Sequence, residues 1–299
     1  MARIAYVVPS AAECAPTHAS EAFHQSLKDY GYVSGQNVVW DRRCFQNDNQ
    51  VTELIAELVR QVPDVIVVAG ARAARAAKAA TATIPIVFVG VGDPIGIGLV
   101  NSLSKPDRNI TGITNIEVAL TQKRLALLKE AVPGINRVAV LLDPGLGASS
   151  AAQWREADEA ARVLQLNLVR LEASSAKEIE GVLRALPRDA TAIFVAGSQT
   201  LSAEYVRIAR LTLERRLPAM MYHAVHARAG CLLSYGQSDV DLLRLAGNYV
   251  GKILKGAKPS ELPVEQPTRL DLAINMRTAR ALGITIPNAL LARADEIIQ

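Results

Sequence analysis

Two histidines three residues apart, His223 and His226, could share a helix face and hold a metal. No third ligand stands at a recognisable spacing, so no metal is expected. Ser198 follows an apolar run in Ala196-Gly197-Ser198-Gln199-Thr200, which lacks the second glycine of a nucleophile elbow. Its hydroxyl is better suited to hydrogen-bonding a ligand than to attack. Asp93, Asp143 and His223 are the remaining candidates for a base, and none has a recognisable partner, so no catalytic residue is assigned. The segment Val89-Gly90-Val91-Gly92-Asp93-Pro94-Ile95-Gly96 is the densest cluster of loop-forming residues. Glycines there let the backbone approach a ligand, and free N–H groups before a helix would favour a carboxylate or phosphate. A dinucleotide site needs GxGxxG after the first strand and an acid about 20 residues on. This segment has neither, and no P-loop occurs, so no cofactor is expected. A plain turn accounts for the segment as well as a ligand contact does.

The elements that would carry these residues alternate short β-branched runs with longer helical patterns. Strands are expected over residues 4–8, 38–42, 64–69, 86–89 and 110–114, with helices over 20–30, 51–61, 71–82 and 94–103. The order then restarts. Helices over 123–131, 150–164, 175–186 and 203–215 alternate with strands over 137–142, 168–171, 192–195, 218–222 and 232–235. The pairs Ser150/Gln153 and Ser175/Glu178 read as helix starts. Continuous Val/Ile runs imply strands buried on both faces, and strands separated by helices give an α/β class. The halves also align: Arg3 to Pro9 with Arg137 to Asp143, Val65 to Gly70 with Ala192 to Gly197, and Pro85 to Phe88 with Pro218 to Met221. Three matches at near-constant offset suggest two copies of one doubly wound domain.

In such sheets ligands bind beyond the carboxyl ends of the strands. The expected ligand-binding residues are therefore Ser10, Ala71, Arg72, Gly92, Asp93, Asn115, Asp143, Gly197, Ser198, Tyr222, His223 and Tyr235. Arg72 could pair bidentately with a ligand carboxylate or stand solvated in a first turn. Tyr235 could line the site or be a buried tyrosine with a satisfied hydroxyl.

The 299 residues are half hydrophobic, with 33 basic against 29 acidic side chains and 4% aromatics. The longest apolar runs fall well short of the roughly 20 residues of a membrane span. Scattered charge and few aromatics argue against a nucleic-acid partner. The cysteines, Cys14, Cys44 and Cys231, allow at most one bridge, with Cys14–Cys44 the pair to test; small buried thiols are the simpler expectation. Met1-Ala2-Arg3 runs straight into a strand, so the chain reads as cytoplasmic or as a mature form without its export signal.

Several separate stretches, in order, carry a family resemblance. They are the run from Phe23 to Asn37, Ile84 to Pro94, Lys129 to Pro133, Leu232 to Gly236, and the tail from Ile253 through Pro267 to Pro287. Over nearly its whole length the chain resembles bacterial ABC transporter substrate-binding proteins of the tryptophan-binding type, with the type I periplasmic-binding-protein fold. The resemblance implies two Rossmann-like lobes, residues 1–115 plus about 237–268 and 116–236 plus about 269–299, joined by a three-crossing hinge with a ligand cleft between them. It also implies a monomer with a periplasmic or cell-surface location and a small ligand delivered to a membrane permease. Gly92, Asp93, Asn115 and Tyr235 match most directly. Ala71-Arg72, the loop from Asp143 to Ser149 and His223-Ala224-Val225-His226 depart from the pattern. The expected ligand class is thus only an amino acid or aromatic carboxylate. A two-lobed enzyme acting on a nucleotide-sugar-like substrate is the alternative, but the catalytic set it needs is missing. A ligand-sensing domain like the effector half of a repressor is a third reading; no helix-turn-helix precedes Ile4, so the given chain alone is not expected to bind an operator.

Overall fold

The computed structural model describes residues 1–9, 18–45, 48–106 and 108–299. The chain divides into two compact units. Unit 1 comprises Met1–Asn115 and Asp239–Thr268, and unit 2 comprises Ile116–Ser238 and Arg269–Gln299.

Unit 1 runs β1 (Ala2–Pro9), α1 (His18–Asp29), β2 (Val38–Phe45), α2 (Asp48–Arg60), β3 (Val65–Ala69), α3 (Gly70–Ala80), β4 (Ile86–Val91) and β5 (Ile110–Thr114). Its sheet has the order β2-β1-β3-β4-β5, and every pair is parallel. Val65, Ile66, Val67 and Val68 of β3 have no exposed surface. Four consecutive β-branched residues fit because helices cover both faces: Ile66 and Val68 face one apolar cluster, Val65 and Val67 the other. Residues 94–98 form turns rather than the start of a helix. Asp93 Oδ1 accepts the Gly96 N–H at 2.8 Å, and Gly98 takes φ of 68°. Two glycines in five residues tilt the balance, since each costs about 1 kcal/mol in a helix and Gly98 is at home in the left-handed region.

Unit 2 runs α4 (Thr121–Ala131), β6 (Arg137–Leu142), a 3-10 turn at Pro144–Leu146, α5 (Ala148–Leu164), β7 (Asn167–Glu172), α6 (Ala176–Ala185) and β8 (Ala192–Val195). It continues through α7 (Gln199–Ala203), α8 (Tyr205–Glu214), β9 (Ala219–Met221), α9 (Ala224–Arg228) and β10 (Leu233–Gln237). The chain re-enters unit 1 as α10 (Asp239–Leu254), then closes unit 2 with β11 (Leu270–Asn275), α11 (Met276–Leu282), α12 (Asn288–Leu291) and β12 (Glu296–Ile298). The sheet order is β7-β6-β8-β9-β10-β11-β12. Its first five strands repeat the unit 1 order, so the matched stretches are first, third and fourth strands in both units. Strand β11 joins β10 antiparallel, and β12 pairs parallel with β11.

Two expected helix boundaries differ. The helix expected over 203–215 is α8, Tyr205–Glu214, and a short helix that was not expected, α7, precedes it across Glu204. Helix α5 begins at Ala148 behind Gly147, with no side-chain cap; Ser150 and Gln153 lie buried inside it. Ser175 does cap α6, accepting from Glu178 N at 3.3 Å. Cys44 is disulfide-bonded, against the expectation of plain buried thiols. Cys231 is free and buried. Cys14 lies outside the described residues.

Helix α10 packs on α1 through Gly247 and Gly251. A Cβ on Gly247 would stand 2.7 Å from the Phe23 carbonyl oxygen, and one on Gly251 would stand 2.5 Å from the Tyr30 ring. The carbonyl cannot move without its helix, whereas the ring can swing. Gly247→Val should therefore cost roughly 1–3 kcal/mol by overpacking, and more than Gly251→Val, measured as urea midpoints of the two variants. Equal costs would show that the helices separate freely.

Candidate functional site

In unit 1 the strand ends place three of the expected residues together. A register shift between Val89 and Val91, with Gly90 at φ of 71°, turns the end of β4 beside β5. Asn115, directly after β5, donates Nδ2–H to the Gly90 carbonyl at 2.9 Å, and its backbone N–H to Val91 O at 3.1 Å. A Cβ on Gly92 would stand 2.9 Å from Asn115 Oδ1. Glycine is thus the residue that lets this side chain lie over the turn. Asp93 is exposed and uses Oδ1 to hold the following turn. Ala71 and Arg72, half-buried, occupy the first turn of α3, where unpaired N–H groups and the helix dipole favour negative charge. Ser10 lies outside the described residues.

In unit 2 the strand ends are joined by a buried polar network. Asp143, 1% exposed after β6, accepts from Gly145 N at 2.9 Å and Ser174 Oγ–H at 3.1 Å through Oδ1, and from Ser198 Oγ–H at 2.7 Å through Oδ2. Ser198 Oγ in turn accepts from Leu201 N at 3.3 Å, capping α7. Tyr222 donates its hydroxyl to the Ser198 carbonyl. Burial raises its pKa, so it stays protonated as that donor. Gln153 clasps Gly197 from both sides: its Nε2 donates to the Gly197 carbonyl at 3.0 Å and its Oε1 accepts Gly197 N–H at 2.6 Å. A Cβ on Gly197 would fall 2.5 Å from Glu117 Oε2. Asp143, Gly197, Ser198 and Tyr222 are therefore one assembly. Tyr235, half-buried on β10, is linked to it through Arg124.

Arg124 and Glu117 are functional candidates absent from the sequence-based set. Arg124 has no exposed side-chain surface, and its Nη1 lies 2.7 Å from Glu117 Oε2. Its Nε–H donates to the Tyr235 carbonyl at 2.6 Å, and its guanidinium carbon lies 5.5 Å from the Tyr222 ring centroid. One guanidinium thus ties the segment entering unit 2 to the strand about to leave it. The signal was present: Thr121, Arg124, Leu128 and Ala131 form the buried stripe of α4, and an arginine at that spacing has to be paired.

His223 and His226 do come together, with ring centroids 5.3 Å apart. Among the described residues no group of three or more His, Cys, Asp or Glu could hold a metal. His226 Nδ1 accepts the His223 backbone N–H at 3.2 Å, so the neutral ring carries its proton on Nε2, 3.1 Å from Ser202 Oγ. A nitrogen that already bears a proton cannot take one from Ser202, so this pair does not activate a nucleophile. Burial, then the neighbouring His223 and Arg124, holds the His226 pKa well below 6.5. The folded chain refuses a proton that the unfolded chain accepts near 6.5, so stability falls as pH drops below that value. The slope from this one site approaches about 1.4 kcal/mol per pH unit. His226→Gln should flatten the urea midpoint between pH 7 and pH 5 relative to the parent protein, and an unchanged slope would place the proton uptake elsewhere.

Two doubly wound units of like topology, interleaved along one chain, with polar residues gathered at their strand ends, constitute the type I periplasmic-binding-protein fold. The family model for ABC transporter substrate binding proteins matches residues 13–298, and the chain belongs to that family. A tyrosine-binding protein of Clostridioides difficile is 26% identical over 282 residues, 93% of this chain and 81% of that protein. A conserved domain protein of Vibrio cholerae superposes with a TM-score of 0.86 at 28% identity, covering 99% of both chains. The ABC domain of Streptococcus pneumoniae in complex with L-Trp gives 0.85 at 24% identity, again over 99% of both. The family supplies the substrate-binding component of transporters. No described helix is long and apolar enough to cross a membrane.

Proposed function

We propose that this protein binds an aromatic L-amino acid outside the cytoplasm, closing its two lobes on it and handing it to an ABC permease, without turnover. The carrying observation is that the tyrosine-binding protein at 26% identity and the L-Trp complex at a TM-score of 0.85 both name an aromatic amino acid, whereas the sugar-bound neighbours superpose at only 0.61–0.62 with 13–14% identity. The strand ends suit that chemistry. In unit 1 the first turn of α3 with Arg72 suits the ligand carboxylate, and Gly92, Asp93 and Asn115 offer polar backbone and amide groups beside it. In unit 2 the half-buried Tyr235 supplies aromatic surface and Glu117 a carboxylate for the ammonium group, while buried Tyr222 supports the wall. Asp143, Gly197 and Ser198 hold that wall in place, with His223 at its margin. The disulfide at Cys44 supports an oxidising, extracytoplasmic compartment. We take the working form to be a monomer.

The test is a thermal-shift panel on protein refolded to strip carried-over ligand. The panel holds L-tryptophan, L-tyrosine, L-phenylalanine, L-leucine, indole-3-acetate and UDP-glucose. A ligand at about 100 times its Kd should add roughly 2.7 kcal/mol. Stabilisation by an aromatic amino acid, reduced about tenfold or more in affinity by Tyr235→Ala (a loss of about 1.4 kcal/mol), is the expected result. Stabilisation by UDP-glucose alone would overturn it in favour of an enzyme.

A further inference from the structure

Gln153, on α5, is 1% exposed. Strand β6 pairs with β8 as far as Leu141 and Val195, and the Ala196 N–H still reaches the Leu141 carbonyl at 2.9 Å. Strand β6 then ends at Leu142, and the chain departs into the 3-10 turn at Pro144–Leu146. The Gln153 carboxamide takes over the pairing of β8. Its Oε1 accepts the Gly197 N–H at 2.6 Å, and its Nε2 donates to the Gly197 carbonyl at 3.0 Å. Two bonds exchanged with a single residue are what the opposite residue of an antiparallel ladder provides. The next residue, Ser198, is held by Asp143 and Tyr222. Only then do Gln199 and Thr200 emerge half-buried, beyond the carboxyl end of β8, where ligands of such sheets bind. Gln153 and Gly197 are both buried, so neither touches a ligand directly.

We propose, building on the aromatic amino acid reading above, that Gln153 is a positioning residue for ligand binding, which holds the Gly197–Ser198 turn in the orientation that presents the end of β8 to the ligand. A carboxyl group of the same length puts this role under pH control. Ionised, the side chain introduced by Gln153→Glu accepts the Gly197 N–H but sets its other oxygen, with no proton to give, against the Gly197 carbonyl. Protonated, its O–H donates to that carbonyl and its C=O accepts the N–H, which restores both bonds. Burial and the carboxylates of Glu117, against Gly197, and Asp143, on Ser198, favour the protonated form, so mildly acidic pH reaches it. Arg124, His223 and His226 lie against Tyr222, the other anchor of the turn. All of these groups are common to parent and variant, so each comparison is made with the parent at the same pH.

Calorimetric Kd values for L-tryptophan and L-tyrosine at pH 8 and pH 5, on protein shown by circular dichroism to be folded, make the test. Gln153→Glu should bind about tenfold more weakly than the parent at pH 8, the loss of one buried hydrogen bond, and within about threefold of it at pH 5. Gln153→Met keeps the length without either bond and should be weak at both pH values. It buries no charge, so it keeps the test available if Gln153→Glu unfolds at pH 8. A glutamine that only supported the fold would leave the Kd of folded variants at the parent's value, whatever their stability. That result would overturn the role of Gln153, as would a Gln153→Glu deficit that is the same at pH 5 as at pH 8. A parent that binds neither amino acid would sink the aromatic reading, and this inference with it, before any variant is compared.

Discussion

Replacing Arg124 by methionine is expected to cost about 3–5 kcal/mol of stability, the penalty for leaving a buried carboxylate without its cation. Glu117 is the stranded group: its side chain is 9% exposed, and its Oε2 lies 2.7 Å from Arg124 Nη1. The loss extends beyond the ion pair, because the same guanidinium holds the Tyr235 carbonyl and lies against Tyr222. The double variant Arg124→Met/Glu117→Leu should recover most of the loss, since a buried pair replaced by apolar groups of similar volume is often neutral or stabilising. Urea denaturation of the parent, single and double variants reads all three. A single variant within about 1 kcal/mol of the parent would mean that water reaches Glu117 and solvates it.

Gly236→Ala should be comparably severe by a different route. An added Cβ would stand 2.1 Å from the Tyr222 carbonyl oxygen and 3.0 Å from Arg124 Nη2. The first of these is backbone at the end of β9, so the sheet itself must open between β9 and β10. A cost at or above the upper end of overpacking, about 3 kcal/mol or more, is expected. Gly134, with nothing within 4 Å of an added Cβ, is the internal control; Gly134→Ala should change stability by less than about 0.5 kcal/mol. If Gly236→Ala also matched the parent, strands β9 and β10 would be more loosely joined than this geometry requires.

Fold class and repeat were readable because they rest on long-wavelength signals. Strand runs such as Val65-Ile66-Val67-Val68 are apolar on both faces only when helices cover both. The common order of the two sheets follows from matched strands at the same places in each half. What was not readable depends on pairings between distant residues. Gln153 has the spacing of a helix-start partner of Ser150, yet it spends its amide on Gly197, 44 residues away. Arg124 looks like one more helix-surface charge beside Lys123 until its burial is known. Strand β12, Glu296–Ile298, is three residues long and exists by virtue of its pairing with β11. In the candidate site, strand-end logic located Asn115 over Gly90 and Gly92, and Ser198 beside Asp143. It missed the arginine and glutamate behind them, because those sit on a helix and on the segment leading into it.

The route of the chain through its two units also governs when each can form. Helix α10 belongs to unit 1 but follows β10 of unit 2, and it packs on α1 at Gly247 and Gly251. The Tyr32 hydroxyl reaches the Leu254 carbonyl across 222 residues of sequence. A nascent chain that has delivered the first five strands therefore holds a unit 1 sheet with one face covered only in part, by α1, and the helix that completes that cover arrives after residues 116–238 of unit 2. Contacts so distant in sequence slow folding, since loop closure is opposed by entropy before any contact repays it. The open intermediate exposes apolar surface for as long as synthesis lasts. Interleaving thus acts as a timer: unit 1 cannot complete its core until α10 has emerged, and unit 2 cannot complete its sheet until β11 and β12 have.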